Sequence, residues 1–150
     1  MGLEKIPIPE TAAGGTRTPM PYGLPLLLAE DNLVNQKVAK RLLEKFGCKP
    51  DIVANGVEAV EAMKRQNYAV IIMDVLMPEM DGQEATRIIR RELPADRQPQ
   101  IIALTAGATS DDRRGCIDAG MDQFITKPVR VAELYAALTE AKKQYNSARP

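Results

Sequence analysis

Three carboxylates, one hydroxyl and one ammonium each close a short apolar run of this 150-residue chain. Glu30 and Asp31 follow the run at 24–29, and Asp74 follows the run at 69–73. Thr105 follows 101–104, and Lys127 follows 123–126. Close carboxylates repel one another and hold protons unless a cation neutralises them. With only oxygen ligands on offer, that cation is Mg²⁺ or Mn²⁺ and not zinc. A lysine and a hydroxyl opposite the metal would clamp phosphate oxygens. The set therefore reads as a phosphoryl-transfer site in which a carboxylate can act as nucleophile. Each residue also has a plainer reading: Asp31 as a helix cap, Thr105 as a turn hydroxyl, Lys127 as a solvated side chain. Four polar endings on four apolar runs favour the site.

Such a site needs elements that bring the run endings together. From residue 24 to 143 an apolar run and a helix-like stretch alternate five times. Asp31 or Asn32 caps a first helix with Val34, Val38, Leu42 and Phe46 on one stripe, ended by Gly47. Run two, 50–54, precedes a helix capped by Asn55 and carrying Val57, Val60 and Met63. Run three is continuously apolar, as a strand buried on both faces should be. A loop with Pro78 and Gly82 leads to a helix over 84–92 with Ala85, Ile88 and Ile89 inward. Ser110 or Asp111 caps the fourth helix, which packs Cys116, Ile117 and Ala119 and stops at Gly120. Val131, Leu134, Leu138 and Ala141 mark the fifth. Five βα units predict an α/β fold, a doubly wound parallel sheet with helices on both faces. In such sheets sites lie beyond the carboxyl ends of the strands, where the five residues stand.

Composition narrows the chemistry. The chain has no histidine, which removes histidine bases, Ser-His-Asp triads, histidine metal sites and a phosphohistidine of its own. Lys+Arg and Asp+Glu are 20 each, so no global basic field attracts nucleic acid or an acidic membrane. Cys48 and Cys116 are too few for a disulfide framework and read as reduced core thiols. No stretch reaches the roughly 18 apolar residues of a membrane span. Met1-Gly2 begins like a myristoylation signal, but Ile6 stands where Ser or Thr is wanted. A cytoplasmic domain is expected, with any membrane anchor elsewhere in a parent chain. Residues 1–23 hold Pro7, Pro9, Pro19, Pro21, Gly14, Gly15 and Gly23 and read as a flexible linker. Residues 144–150 read as a frayed tail.

Four stretches carry a resemblance: Ala29-Glu30-Asp31-Asn32 with Asn35-Gln36; Met73-Asp74-Val75-Leu76-Met77-Pro78-Glu79-Met80-Asp81-Gly82; Ile102-Ala103-Leu104-Thr105-Ala106; and 119–128, with Phe124 and Lys127-Pro128. Residues 25–142 resemble the receiver domain of two-component phosphorelay systems, most like those of hybrid sensor histidine kinases. The resemblance implies a flavodoxin-like strand order 2-1-3-4-5. Asp74 would accept the phosphoryl group of a phosphohistidine. Asp31, Asp74 and the Leu76 carbonyl would hold Mg²⁺, with Glu30 contributing directly or through water. Lys127 and Thr105 would contact the phosphoryl group, and Phe124 would turn as Thr105 moves. The Lys127-Pro128 bond would be cis. The partner would be a histidine kinase domain or a histidine phosphotransfer protein, the chain itself a monomer or weak dimer. The domain would catalyse its own phosphorylation and dephosphorylation without being a turnover enzyme.

Rival readings fit less well. A haloacid-dehalogenase-type phosphatase wants a second acid two residues beyond the nucleophile, where Leu76 stands. A flavodoxin-like carrier wants a Gly-, Ser- or Thr-rich loop after strand one, which here is acidic. An adaptor with an idle site would lack one of the essential side chains or fail to bind beryllofluoride. The 23 residues before strand one favour the C-terminal receiver of a hybrid kinase over a stand-alone regulator. Neither Leu76 nor Gly107 can hydrogen-bond an attacking water through its side chain, so a phosphoryl group lasting minutes or more is expected.

Overall fold

A computed structural model describes residues 24–107 and 109–148. The linker expected over 1–23 lies outside the described residues. Five strands, β1 (Leu26–Ala29), β2 (Asp51–Val53), β3 (Val70–Asp74), β4 (Gln100–Thr105) and β5 (Gln123–Thr126), form one parallel sheet in the order β2-β1-β3-β4-β5. Helices α1 (Leu33–Lys45), α2 (Gly56–Arg65), α3 (Gly82–Glu92), α4 (Ser110–Ala119) and α5 (Val131–Ser147) connect and follow them. The (βα)5 fold and the strand order are those expected.

Side chains alternate across each strand, so the central strand feeds two cores. Val70 and Ile72 join Leu28, Leu43, Phe46 and Leu138 under α1 and α5. Ile71 and Met73 join Leu27, Met63, Ile89 and Ile101 under α2, α3 and α4. Burial on both faces explains why β3 is continuously apolar until Asp74.

Local details correct the sequence reading. In α1 the buried positions are Ala39 and Leu43, followed by Phe46, whereas Val34 and Val38 are exposed. Of the two expected caps, Asp31 or Asn32, Asn32 takes the position, its side chain accepting from Asn35 N. Val57 in α2 and Ile117 in α4 also face outward. Thr109, not Ser110 or Asp111, caps α4 in a reciprocal box with Asp112. Residues 144–147, expected to fray, continue α5, where Tyr145 packs against the core and extends the helix's apolar face. The expected stops hold at Gly47 and Gly120, both at positive φ, and Asn55 caps α2 as expected. Cys48 and Cys116 are buried, and burial pushes the Cys48 thiol up to about 11.

Gly82 ties the site to the fold. Its N–H donates to Val75 O at 2.8 Å, and a Cβ there would collide with the Asp74 carbonyl. This close approach seats the start of α3 against the end of β3. Gly82→Ala is expected to cost about 1–3 kcal/mol, as overpacking does, and to lower the urea midpoint. An unchanged midpoint would show that α3 is not seated there.

Candidate functional site

The strand register places the site. β3 pairs with β1 up to Met73↔Ala29 and with β4 up to Asp74↔Leu104. The residues just beyond those pairs, Glu30 and Thr105, therefore flank Asp74 on either side. β5 pairs Thr126 with Thr105, and Lys127 N donates to Thr105 O at 2.8 Å. The lysine thus leaves the sheet at the same edge. The Lys127–Pro128 bond is cis, as the resemblance implied.

Glu30, Asp31 and Asp74 each place a carboxylate oxygen within 4.8 Å of the others. Glu30 is 1% exposed and Asp74 5%, while Asp31 lies open to solvent. Lys127 Nζ donates to Asp74 Oδ2 at 2.8 Å and stands 3.4 Å from Glu30 Oε1. Asp74 Oδ1 accepts from Leu76 N at 3.3 Å. Glu30 Oε2 accepts from Asn32 N at 3.1 Å, and Gln36 Nε2 donates to the Glu30 carbonyl at 2.6 Å. Glu30 Oε1 is buried and receives no hydrogen bond. Burial pushes the Glu30 carboxyl above its usual range. The neighbouring Asp74 charge adds to this, against the Asn32 N–H and Lys127. Burial alone would lower Lys127, but its hydrogen bond to Asp74 and the charges of Asp74 and Glu30 outweigh that and raise it.

The donor set fits a divalent cation. It offers only oxygens, one of them a buried carboxylate oxygen without a donor, and its like charges need neutralising. Glu30, Asp31 and Asp74 are the side chains that would hold Mg²⁺. When bound, the ion offsets the negative charge of the carboxylates and of an incoming phosphoryl group.

The other expected residues stand further out. The Thr105 hydroxyl is at the site's edge, buried, and exchanges hydrogen bonds with Gly107: it donates to Gly107 O at 3.0 Å and accepts from Gly107 N at 3.1 Å. Leu76 is 70% exposed at the mouth. Phe124 stands on β5 opposite Ala103 of β4 and lines a groove with Ile125, Glu133 and Ala137. Arg113 stacks over its ring, 5.0 Å from the centroid. No spacing rule links positions 113 and 124, so only the fold reveals that contact. Gly82 and Gln36 stand in the stretches that carry the resemblance, but the contacts they make are visible only in three dimensions. A glycine at the start of a helix is the one sequence sign of the former.

Comparisons with known proteins agree with this geometry. A family model described as "Response regulator receiver domain" matches residues 26–139. Histidine protein kinase 1 of Candida albicans is 40% identical over 83% of this chain, which spans 5% of that protein. Hybrid signal transduction histidine kinase K of Dictyostelium discoideum is 40% identical over 77% of this chain, which spans 10% of it. A crystal structure of the receiver domain of a sensor histidine kinase from Pseudomonas aeruginosa, with magnesium coordinated in its active-site cleft, has a TM-score of 0.72 and 43% identity. The match covers 79% of this chain and 96% of that one. A co-crystal structure joins a histidine phosphotransfer protein of Saccharomyces cerevisiae to the receiver domain of its downstream response regulator. Its matched chain has a TM-score of 0.74 and 30% identity, over 81% of this chain and 91% of that one. On this fold, this acidic site and these matches, the chain belongs to the response regulator receiver domain family.

Proposed function

We propose that Asp74 takes a phosphoryl group from the phosphohistidine of a partner, in the presence of Mg²⁺ or Mn²⁺. The observation that carries this reading is the Asp74 carboxylate at the tip of β3, bonded to Lys127 at 2.8 Å inside a cluster of three acids. An Asp74 carboxylate oxygen attacks the phosphorus. The phosphorus–nitrogen bond breaks and its electron pair stays on the imidazole of the donor. Lys127 follows the charge from the carboxylate to the phosphoryl oxygens. The Thr105 hydroxyl leaves Gly107 to donate to another oxygen, and Phe124 turns as it moves, which repacks the α4, β5 and α5 surface. The Leu76 carbonyl would be a further ligand of the metal, and the Leu76 side chain cannot orient an attacking water.

Because the chain has no histidine, the donor is another domain or another protein. Exposed Leu33, Val34 and Val38 in the first half of α1, and Leu76 two residues beyond Asp74, give that partner an apolar surface to dock on. The relatives are histidine kinases many times longer than this chain. These relatives support the reading that it is the receiver of a hybrid histidine kinase; we further propose that it works on the cytoplasmic side without binding nucleic acid or inserting in a membrane. Among the described residues no helix is long and apolar enough to cross one.

Labelled phosphoramidate with Mg²⁺ should phosphorylate the wild-type chain, and the label should persist for minutes or more after the donor is removed. Asp74→Asn should take up none. Normal labelling of Asp74→Asn overturns the acceptor, and loss of half the label within seconds overturns the inferred lifetime.

The acidic cluster also predicts a pH dependence. The folded protein holds the Glu30 carboxyl above its usual value near 4.5, so folding binds a proton there. That contribution to stability is complete below the usual value and is lost as pH rises through the raised one. Lys127 is held above its usual value near 10.5, so its contribution stays constant over the same range. Mg²⁺ competes with the proton, so the gain in melting temperature on adding Mg²⁺ should grow from pH 4.5 to pH 7.5. A gain that is equal at both pH values, or absent at pH 7.5, contradicts the assignment.

A further inference from the structure

We infer that Gln36 is a positioning residue for the divalent-cation site, an inference that rests on the reading proposed above. Gln36 belongs to α1, yet its side chain serves no need of that helix. A helix N-terminus has unsatisfied N–H groups, and here the Asn32 side chain already accepts from Asn35 N. The Gln36 amide instead donates, and to a carbonyl outside the helix, that of Glu30, six residues back at 2.6 Å.

That carbonyl belongs to the peptide joining the two acids of the first loop. The peptide is planar, so fixing the Glu30 C=O also fixes the Asp31 N–H and the direction in which the chain enters Asp31. The other polar groups of Glu30 are held as well. Its N–H donates to Val53 O at 3.0 Å, and its Oε2 accepts from Asn32 N. What is left is Oε1, buried and without a donor, turned toward Asp74 and Lys127. The half-buried Gln36 thus completes a frame that leaves one carboxylate oxygen of Glu30 and the open carboxylate of Asp31 for the cation. Without the amide, the Glu30–Asp31 peptide can rotate, and part of the binding energy of the ion goes into ordering it. Residues that orient metal ligands typically change affinity about 10- to 100-fold. A backbone carbonyl is a softer lever, so the lower end is expected.

The test is calorimetric titration of the whole chain with MgCl₂, alongside melting curves without metal. Gln36→Met keeps the length and helix preference of the side chain and removes its donor; Gln36→Ala does the same with a smaller side chain. Both should bind Mg²⁺ about 10-fold more weakly than wild type, with the metal-free melting temperature unchanged. Wild-type affinity in either folded variant overturns the inference, as does a lower melting temperature with unchanged affinity, which would make Gln36 a staple of the helix only. Because wild type is titrated in parallel, the two levels separate. Wild type that binds no Mg²⁺ sinks the proposed function itself. Wild type that binds, with variants that match it, sinks only the role of Gln36.

Discussion

The mutual repulsion of buried carboxylates is the constraint around which this molecule is arranged. Glu30 and Asp74 are almost fully enclosed, Asp31 stands beside them, and among the described residues Lys127 is the one ammonium bonded to the cluster. Bringing such charges together costs energy that one lysine only partly offsets. The residual imbalance is what makes the site attractive to a divalent cation. The zero net charge of the chain conceals this local field.

The sheet supplies the precision. Parallel strands in the order β2-β1-β3-β4-β5 bring the ends of β1, β3, β4 and β5 to one edge. β3, buried on both faces, can end in a charged residue only because it emerges there. Two separate cores hold it from either side, so Asp74 is carried on a rigid element. The loops complete the frame: Gly82 lets α3 close against the Asp74 carbonyl, and Gln36 reaches back from α1 to the first loop. The Thr105 hydroxyl is poised differently, since in the proposed reaction the hydrogen bond it donates to Gly107 O would be given up to serve a phosphoryl oxygen.

The ends of the strands were legible in the sequence because an apolar run that stops at an acid, a hydroxyl or a lysine is a one-dimensional pattern. The faces of the helices were less so. In α1 the expected stripe Val34–Val38–Leu42–Phe46 shares its last residue with a second series, Ala39–Leu43–Phe46, and periodicity alone cannot choose between them. The sheet buries the second, and Val34 and Val38 remain outside, next to the site. Ile117 of α4, expected to pack inward, faces solvent instead. The cap of α4 was displaced by one residue because Thr109, Ser110 and Asp111 are all capable caps, and only the reciprocal bond with Asp112 selects Thr109. The polar end of α5 conceals Tyr145, whose ring still finds the core. Contacts between distant elements, such as Arg113 on Phe124, leave no local pattern to read.

The central claim is that the carboxylate of Asp74 becomes an acyl phosphate. Borohydride reduces an acyl phosphate, but not a free carboxylate, to the alcohol, so an aspartyl phosphate becomes homoserine. The chain should therefore be treated with phosphoramidate and Mg²⁺, reduced with borohydride, digested and sequenced by mass spectrometry. Homoserine at position 74, absent when the donor is omitted, is the result this account predicts. Homoserine at another aspartate, or none anywhere in a chain that has taken up phosphate, would contradict it.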